Sequence, residues 1–173
     1  IAGAMAAKAP ADGYTMIVIA NSLTINAKDT LRLQGLATTT VGGNAVPITA
    51  SLQAETLNLS AGVLIDITDS GQLTAQQNTA SAATASVLLT GSRDIRLGGV
   101  VQADASTAVT VNAGRDLALS GQIDAGTIAL RSGQGVSGDG NITADADTRI
   151  TASGTRASAG GGFLAGEVLT LAT

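Results

Sequence analysis

One pattern recurs down this chain and limits what it can become. A short run of alternating aliphatic residues, ending on glycine or another small residue, is written again and again at a spacing near twenty. It reads Val87-Leu-Leu-Thr-Gly-Ser-Arg-Asp-Ile-Arg-Leu-Gly-Gly, then Val109-Thr-Val-Asn-Ala-Gly-Arg-Asp-Leu-Ala-Leu-Ser-Gly, then Ile128-Ala-Leu-Arg-Ser-Gly, then Ile150-Thr-Ala-Ser-Gly. Leu31-Arg-Leu-Gln-Gly and Leu57-Asn-Leu-Ser-Ala-Gly open the same way, and Leu169-Thr-Leu-Ala-Thr begins another line. The openings at 31, 57, 87, 109, 128, 150 and 169 are 26, 30, 22, 19, 22 and 19 residues apart. Self-similarity at such a period marks a repeat architecture, in which each unit buries its apolar face only against its neighbours.

The alternation sets the element type. Val63, Ile65 and Ile67, then Ile95 and Leu97, Val109 and Val111, Leu117 and Leu119, and Ile128 and Leu130 repeat with period two. That period places them on one strand face and sends Thr110, Asn112, Ala118 and Ser120 to the other. Beyond residue 27 no helical stripe competes. Two or three short strands per repeat, joined by Gly, Ser, Asn and Asp turns, predict an all-β chain over 28–173, with each repeat as one rung of a parallel β-helix. About six rungs would stack into a rod roughly 30 Å long at the spacing of neighbouring strands. A narrow interior of Val, Ile, Leu and Ala needs few aromatics, and the chain has one Tyr and one Phe. The runner-up, a β-sandwich, shares the alternating short strands but expects a bulkier core.

Composition excludes much chemistry. Among 173 residues there is no Cys, His or Trp. A Ser-His-Asp triad, a cysteine nucleophile, a zinc finger and a disulfide framework are therefore all ruled out. The net charge of −4 comes from 9 basic and 13 acidic residues scattered singly, so no basic stripe suggests nucleic acid. The longest strongly apolar run, Tyr14 to Ala20, falls well short of the roughly 20 residues that a membrane-spanning helix needs. The chain opens on Ile1 without a charged stretch leading into an apolar one, which reads as a fragment whose export signal lies outside it.

Residues 1–27 read differently. Ile1 to Ala9 is alanine-rich and predicts a short helix, ended by Pro10 and an Asp12-Gly13 turn before a strand over Tyr14 to Ala20. The wording from Ala7-Lys-Ala-Pro-Ala-Asp-Gly-Tyr-Thr-Met to Ser22 resembles a segment of the Bug family, periplasmic solute-binding proteins of tripartite tricarboxylate transporters. That family usually writes Ala-Pro-Asp-Gly-Tyr-Thr-Leu, whereas here Ala11 separates Pro10 from Asp12. The resemblance implies either a cap on the first rung or a fusion remnant. It carries over no ligand residues, because a pocket between two lobes does not form from one helix-strand unit.

The phrase Ala113-Gly-Arg-Asp-Leu-Ala-Leu-Ser-Gly, echoed from Gly91 as Gly-Ser-Arg-Asp-Ile-Arg-Leu-Gly-Gly, resembles the repeats of filamentous-haemagglutinin-type exoproteins. These are large bacterial surface proteins exported by two-partner secretion. The resemblance covers residues 28–173 and implies a right-handed parallel β-helix serving adhesion, secreted or at the cell surface. The implied partners are host-cell or bacterial surface receptors or glycans. The outer-membrane transporter would be met only through regions not found here.

Four constellations merit a chemical test. Gly133-Gln-Gly-Val-Ser-Gly138 spells G-x-G-x-x-G, but a dinucleotide loop needs a helix behind it, and the following Asp139-Gly-Asn-Ile-Thr predicts a turn instead. Asp139, Asn141, Asp145 and Asp147 place four oxygen-bearing side chains in nine residues, in an order that matches no EF-hand loop. Asp94 and Asp116 share a repeat position and would stack with Arg93 and Arg115. A glycosidase needs two such acids across a groove, and a charge-balanced surface ladder is the simpler reading. Asn58-Leu-Ser and Asn141-Ile-Thr fit the glycosylation pattern by composition alone, and Arg-Gly-Asp does not occur. The expectation is a non-catalytic structural segment with no cofactor and no metal. The alternatives are a fragment of a Bug-type carboxylate receptor and a polysaccharide-active β-helix enzyme.

Overall fold

A computed structural model describes residues 19–35, 39–41, 44–46, 49–77, 84–152 and 168–172. Among the described residues the chain is all-β, without a helix. The helix expected over 1–9 and most of the strand expected over 14–20 lie outside them. The first described strand, β1, runs Ile19–Ala27 and pairs in parallel with β5 (Ala50–Ala61) through Ala27 opposite Ala61.

The remaining strands are β2 (Thr30–Leu33), the antiparallel pair β3 (Thr39–Val41) and β4 (Asn44–Val46), β6 (Leu64–Ile67), β7 (Gly71–Ala75), β8 (Ser86–Gly91) and β9 (Asp94–Leu97). They continue as β10 (Val100–Ala103), β11 (Ala108–Ala113), β12 (Asp116–Leu119), β13 (Gln122–Ser132), β14 (Gly135–Ser137), β15 (Asn141–Ala152) and β16 (Val168–Ala172). The β2, β6, β9, β12 and β14 strands form an open five-stranded parallel sheet in the order β14-β12-β9-β6-β2.

The larger sheet corrects the expected architecture. Its strands β5, β8, β11, β13, β10 and β7 pair in a ring, because β10 pairs both β7 and β13. The result is a closed six-strand parallel barrel rather than a right-handed parallel β-helix. The runner-up sandwich also fails, since the pairings in both large sheets are parallel and the antiparallel ladder among the described residues is the small β3–β4 pair.

Closure has a local cause. The extended backbone breaks at 76–77 and 84–85, between β7 and β8, and at 104–107, between β10 and β11. At the equivalent places β5 and β13 stay extended, through Glu55 and Gly126. Each therefore carries two neighbours: β5 pairs β7 through Ala50–Ala54 and β8 through Thr56–Ala61. Likewise β13 pairs β10 through Gln122–Asp124 and β11 through Thr127–Ser132.

Side chains align across the ladders in columns. Leu57, Val87, Val109 and Ile128 stand in register and are buried, as are Leu59, Leu89, Val111 and Leu130. On the five-stranded sheet Ile65, Ile95, Leu117 and Val136 form a third buried column, with Leu31 next in line. Two of the repeat openings are thereby reassigned. Leu31 belongs to the five-stranded sheet, and Ile150 pairs with Leu130, leaving Thr148 opposite Ile128. Val63, expected to face inward with Ile65 and Ile67, sits in a turn and is 37 % exposed.

The sharp turns from the larger sheet into the five-stranded one are two residues long, at 28–29, 62–63, 92–93, 114–115 and 133–134. Their backbones continue the stacking: Gly62 N donates to Ala27 O at 3.1 Å, Gly114 N to Gly91 O at 2.9 Å and Arg115 N to Arg93 O at 2.7 Å. Corner amides that would otherwise be left unpaired are satisfied by the neighbouring layer. This accounts for the Ala-Gly-Arg-Asp-Leu phrase: Ala113 packs inward, Gly114 turns, Arg115 emerges, and Asp116 and Leu117 start β12.

Candidate functional site

The five-stranded sheet turns one face to the core and the other outward. Its outward positions form one row of Arg32, Asp66, Arg96, Ala118 and Ser137, in register across all five strands. Asp94, Asp116 and Gly135 begin β9, β12 and β14 beside this row. Ala118 and Gly135 contribute almost no bulk, so a groove of about 360 Å³ opens between Arg96, Arg115, Asp116 and Ser137.

The structure brings together the acids singled out by their repeat position. Arg115 forks onto Asp94, its Nε donating to Oδ1 at 2.8 Å and its Nη2 to Oδ2, and Nε also lies 3.3 Å from Asp116 Oδ2. Arg93 does not reach Asp94 as an ion pair but contributes to the positive field around it. Partial burial works against the charged form of Asp94. The Arg115 hydrogen bond and charge, with a backbone hydrogen bond from Asp116, outweigh it and hold the carboxyl below its ordinary value of 3.8. Arg115 is held above its ordinary value by the same hydrogen bond, against some desolvation.

The arrangement does not suit acid catalysis. A general acid in a glycosidase needs a raised pKa, whereas Arg115 holds Asp94 below its ordinary value. It does predict a pH effect. The folded pKa lies below the unfolded one, so the stabilisation is complete above about pH 4 and is lost as pH falls through the folded value. Chemical denaturation at pH 6 and pH 3 should show Arg115→Gln destabilised at pH 6, with its gap from the wild type narrowing at pH 3. A gap that stays constant would remove the Asp94 pairing from this role.

The other sequence candidates do not assemble. Within Gly133–Gly138 the chain forms β14, then passes through Gly138, whose φ of 132° is a conformation suited to glycine, into strand β15 rather than a helix. The amide fan that a dinucleotide phosphate requires is therefore missing from this loop. Asp139 is exposed in the 138–140 connection and Asn141 starts β15. Asp145 and Asp147 lie in β15, with side chains outside the described ones. Among the described residues no group of three or more acids gathers. Asn58 is outward on β5, one layer from Thr24 and Leu88.

Two features escaped the sequence reading. Glu55 is buried at the continuous joint of β5, where it accepts a hydrogen bond from Gln77 Nε2 at 3.2 Å. Gln77 also accepts from Ala85 N at 2.8 Å, and its own N–H donates to Asp104 at 2.8 Å, tying three layers together at that corner. The signal was present in Ala54-Glu55-Thr56, where a charge interrupts the alternation. The second feature is Arg96, whose register neighbour Asp66 is paired instead with Arg32 at 3.2 Å.

No protein-family model, no curated protein and no solved structure matches this chain.

Proposed function

We propose that this chain is a non-catalytic structural and interaction segment of a secreted or surface-exposed bacterial adhesin, which attaches cells or surfaces through repetitive polar faces. The observation that carries this reading is the outward columns of the larger sheet. Ser22, Thr56, Ser86, Ala108 and Thr127 follow one another in register, and so do Asn26, Ser60, Thr90, Asn112 and Arg131. Stacking at about 4.8 Å sets hydroxyls and amides one above another, interrupted by Ala108 in the first column and ended by Arg131 in the second. A face of that kind suits many weak simultaneous contacts, whose avidity exceeds that of any one of them. Ser60 Oγ donates to Asn26 Oδ1 at 2.5 Å, so neighbouring layers pre-order one another's polar groups. Support against an enzymatic alternative comes from the absence of His and Cys and from the pairing of Asp94 and Asp116 with Arg115.

The test is attachment. Surfaces coated with the folded chain should retain bacterial or epithelial cells several-fold better than surfaces coated with the same chain heat-unfolded. Equal retention on both would overturn the reading.

A further inference from the structure

We infer that the groove on the five-stranded sheet binds a carboxylate-bearing carbohydrate, a hexuronate, through Arg96. This deepens the attachment reading above and rests on it, by naming a ligand class for one face.

Charge pairing at that face leaves two arginines without an ion pair among the described residues, Arg93 in the turn before β9 and Arg96, and of these Arg96 lines the groove. Arg32 holds Asp66, and Arg115 holds Asp94 and touches Asp116, whereas Arg96 makes no ion pair among the described residues. Arg96 is exposed and sits at the rim of the groove, with Ala118 beside it and Ser137 one strand further in the same row. A guanidinium fork matches a carboxylate bidentately and is more weakly hydrated than an ammonium, so an unpaired arginine in a recess favours that group.

The remaining lining selects the rest of the ligand. The Asp116 side chain is 46 % exposed and spends one oxygen on a 3.3 Å contact, leaving acceptor capacity for sugar hydroxyls. The exposed Ser137 hydroxyl donates or accepts on the far side. No aromatic ring lines the recess, so a neutral sugar finds no stacking platform and the ionic contact must fix the ligand. Asp94 and Asp116 also repel a polymer with several sulfates per sugar more than one with a single carboxylate per sugar, which separates these two acidic glycan types.

Calorimetry at low salt with the full chain and oligogalacturonate tests the inference, with the methyl-esterified oligomer as the neutral probe. Binding of the acid form, lost on esterification, is expected. Arg96→Gln should weaken it by roughly tenfold or more, the scale of one charge-assisted hydrogen-bonding pair. Lys28→Gln removes the same charge from an exposed position in the 28–29 turn, away from the groove and from the outward columns, and should leave binding unchanged. Ala118→Phe, which fills the groove, should abolish it while far-ultraviolet circular dichroism stays that of a β protein. The inference is overturned if the acid oligomer does not bind, if the ester binds equally, or if Lys28→Gln weakens binding as much as Arg96→Gln. Cell attachment that persists when uronate binding fails would sink this inference and leave the attachment reading standing.

Discussion

Replacing Gly99 by alanine should unfold the protein under conditions where the same change at Gly98, one residue earlier, is tolerated. A Cβ at Gly99 would stand 2.1 Å from Gly71 O and 2.3 Å from Thr68 O, both backbone atoms of the preceding layer. At Gly98 the nearest heavy atoms are 3.4 Å away. The clash at Gly99 cannot be relieved by turning a side chain, so the layers must separate. The corner repeats this approach, with a Cβ at Gly121 falling 1.9 Å from Gly99 O and one at Gly140 falling 2.6 Å from Gly121 O. Parting two layers breaks hydrogen bonds as well as packing, including Gln122 N to Gly99 O at 2.9 Å. The expected loss exceeds about 4 kcal/mol, at the far end of what one substitution does. For Gly98→Ala the change should stay within about 1 kcal/mol. Urea denaturation followed by far-ultraviolet circular dichroism separates the two, and comparable midpoints would refute the close-approach account of this corner.

A second pair of adjacent residues tests the inward columns. Leu89 is fully buried on β8 between Leu59 and Val111, while Leu88, its chain neighbour, is 36 % exposed between Asn58 and Thr110. Leu89→Ala removes buried methyls and leaves a cavity walled by strands that are fixed in register on both sides. It should cost about 3–5 kcal/mol. Leu88→Ala should cost less than about 1 kcal/mol. Thermal melts of the two variants measure the difference directly. Similar losses would mean that β8 does not present alternate residues to opposite environments.

Much of this was legible in the chain. Period two assigned the burial of Ile65, Ile67, Val109, Val111, Leu117 and Leu119, because strand geometry leaves no other way to sort them. The shared repeat position of Asp94 and Asp116 brought both to Arg115. What stayed hidden depends on contacts rather than wording. Leu31-Arg-Leu and Leu57-Asn-Leu read alike, yet one lies in the five-stranded sheet and the other in the barrel, since an aliphatic alternation carries no label for its sheet. Ring closure turns on whether the backbone stays extended at Glu55 and Gly126, and isolated residues of these types signal an interruption rather than continuity. Arg96 and Arg115 are the same residue type, and which one remains unpaired follows from side-chain reach across strands.

The two-residue turns at 62–63, 92–93, 114–115 and 133–134 have the same length in each described layer, whereas the connections from β2 to β5 and from β7 to β8 are longer and of unequal length. Growth of such a chain is therefore permitted on some edges and forbidden on another. New segments would enter at the β3–β4 pair, which belongs to neither large sheet, without altering the spacing of any hydrogen-bonded layer. A peptide grafted between β3 and β4 would interrupt no strand of either large sheet, while a single residue added at Gly114 would throw the later layers out of step.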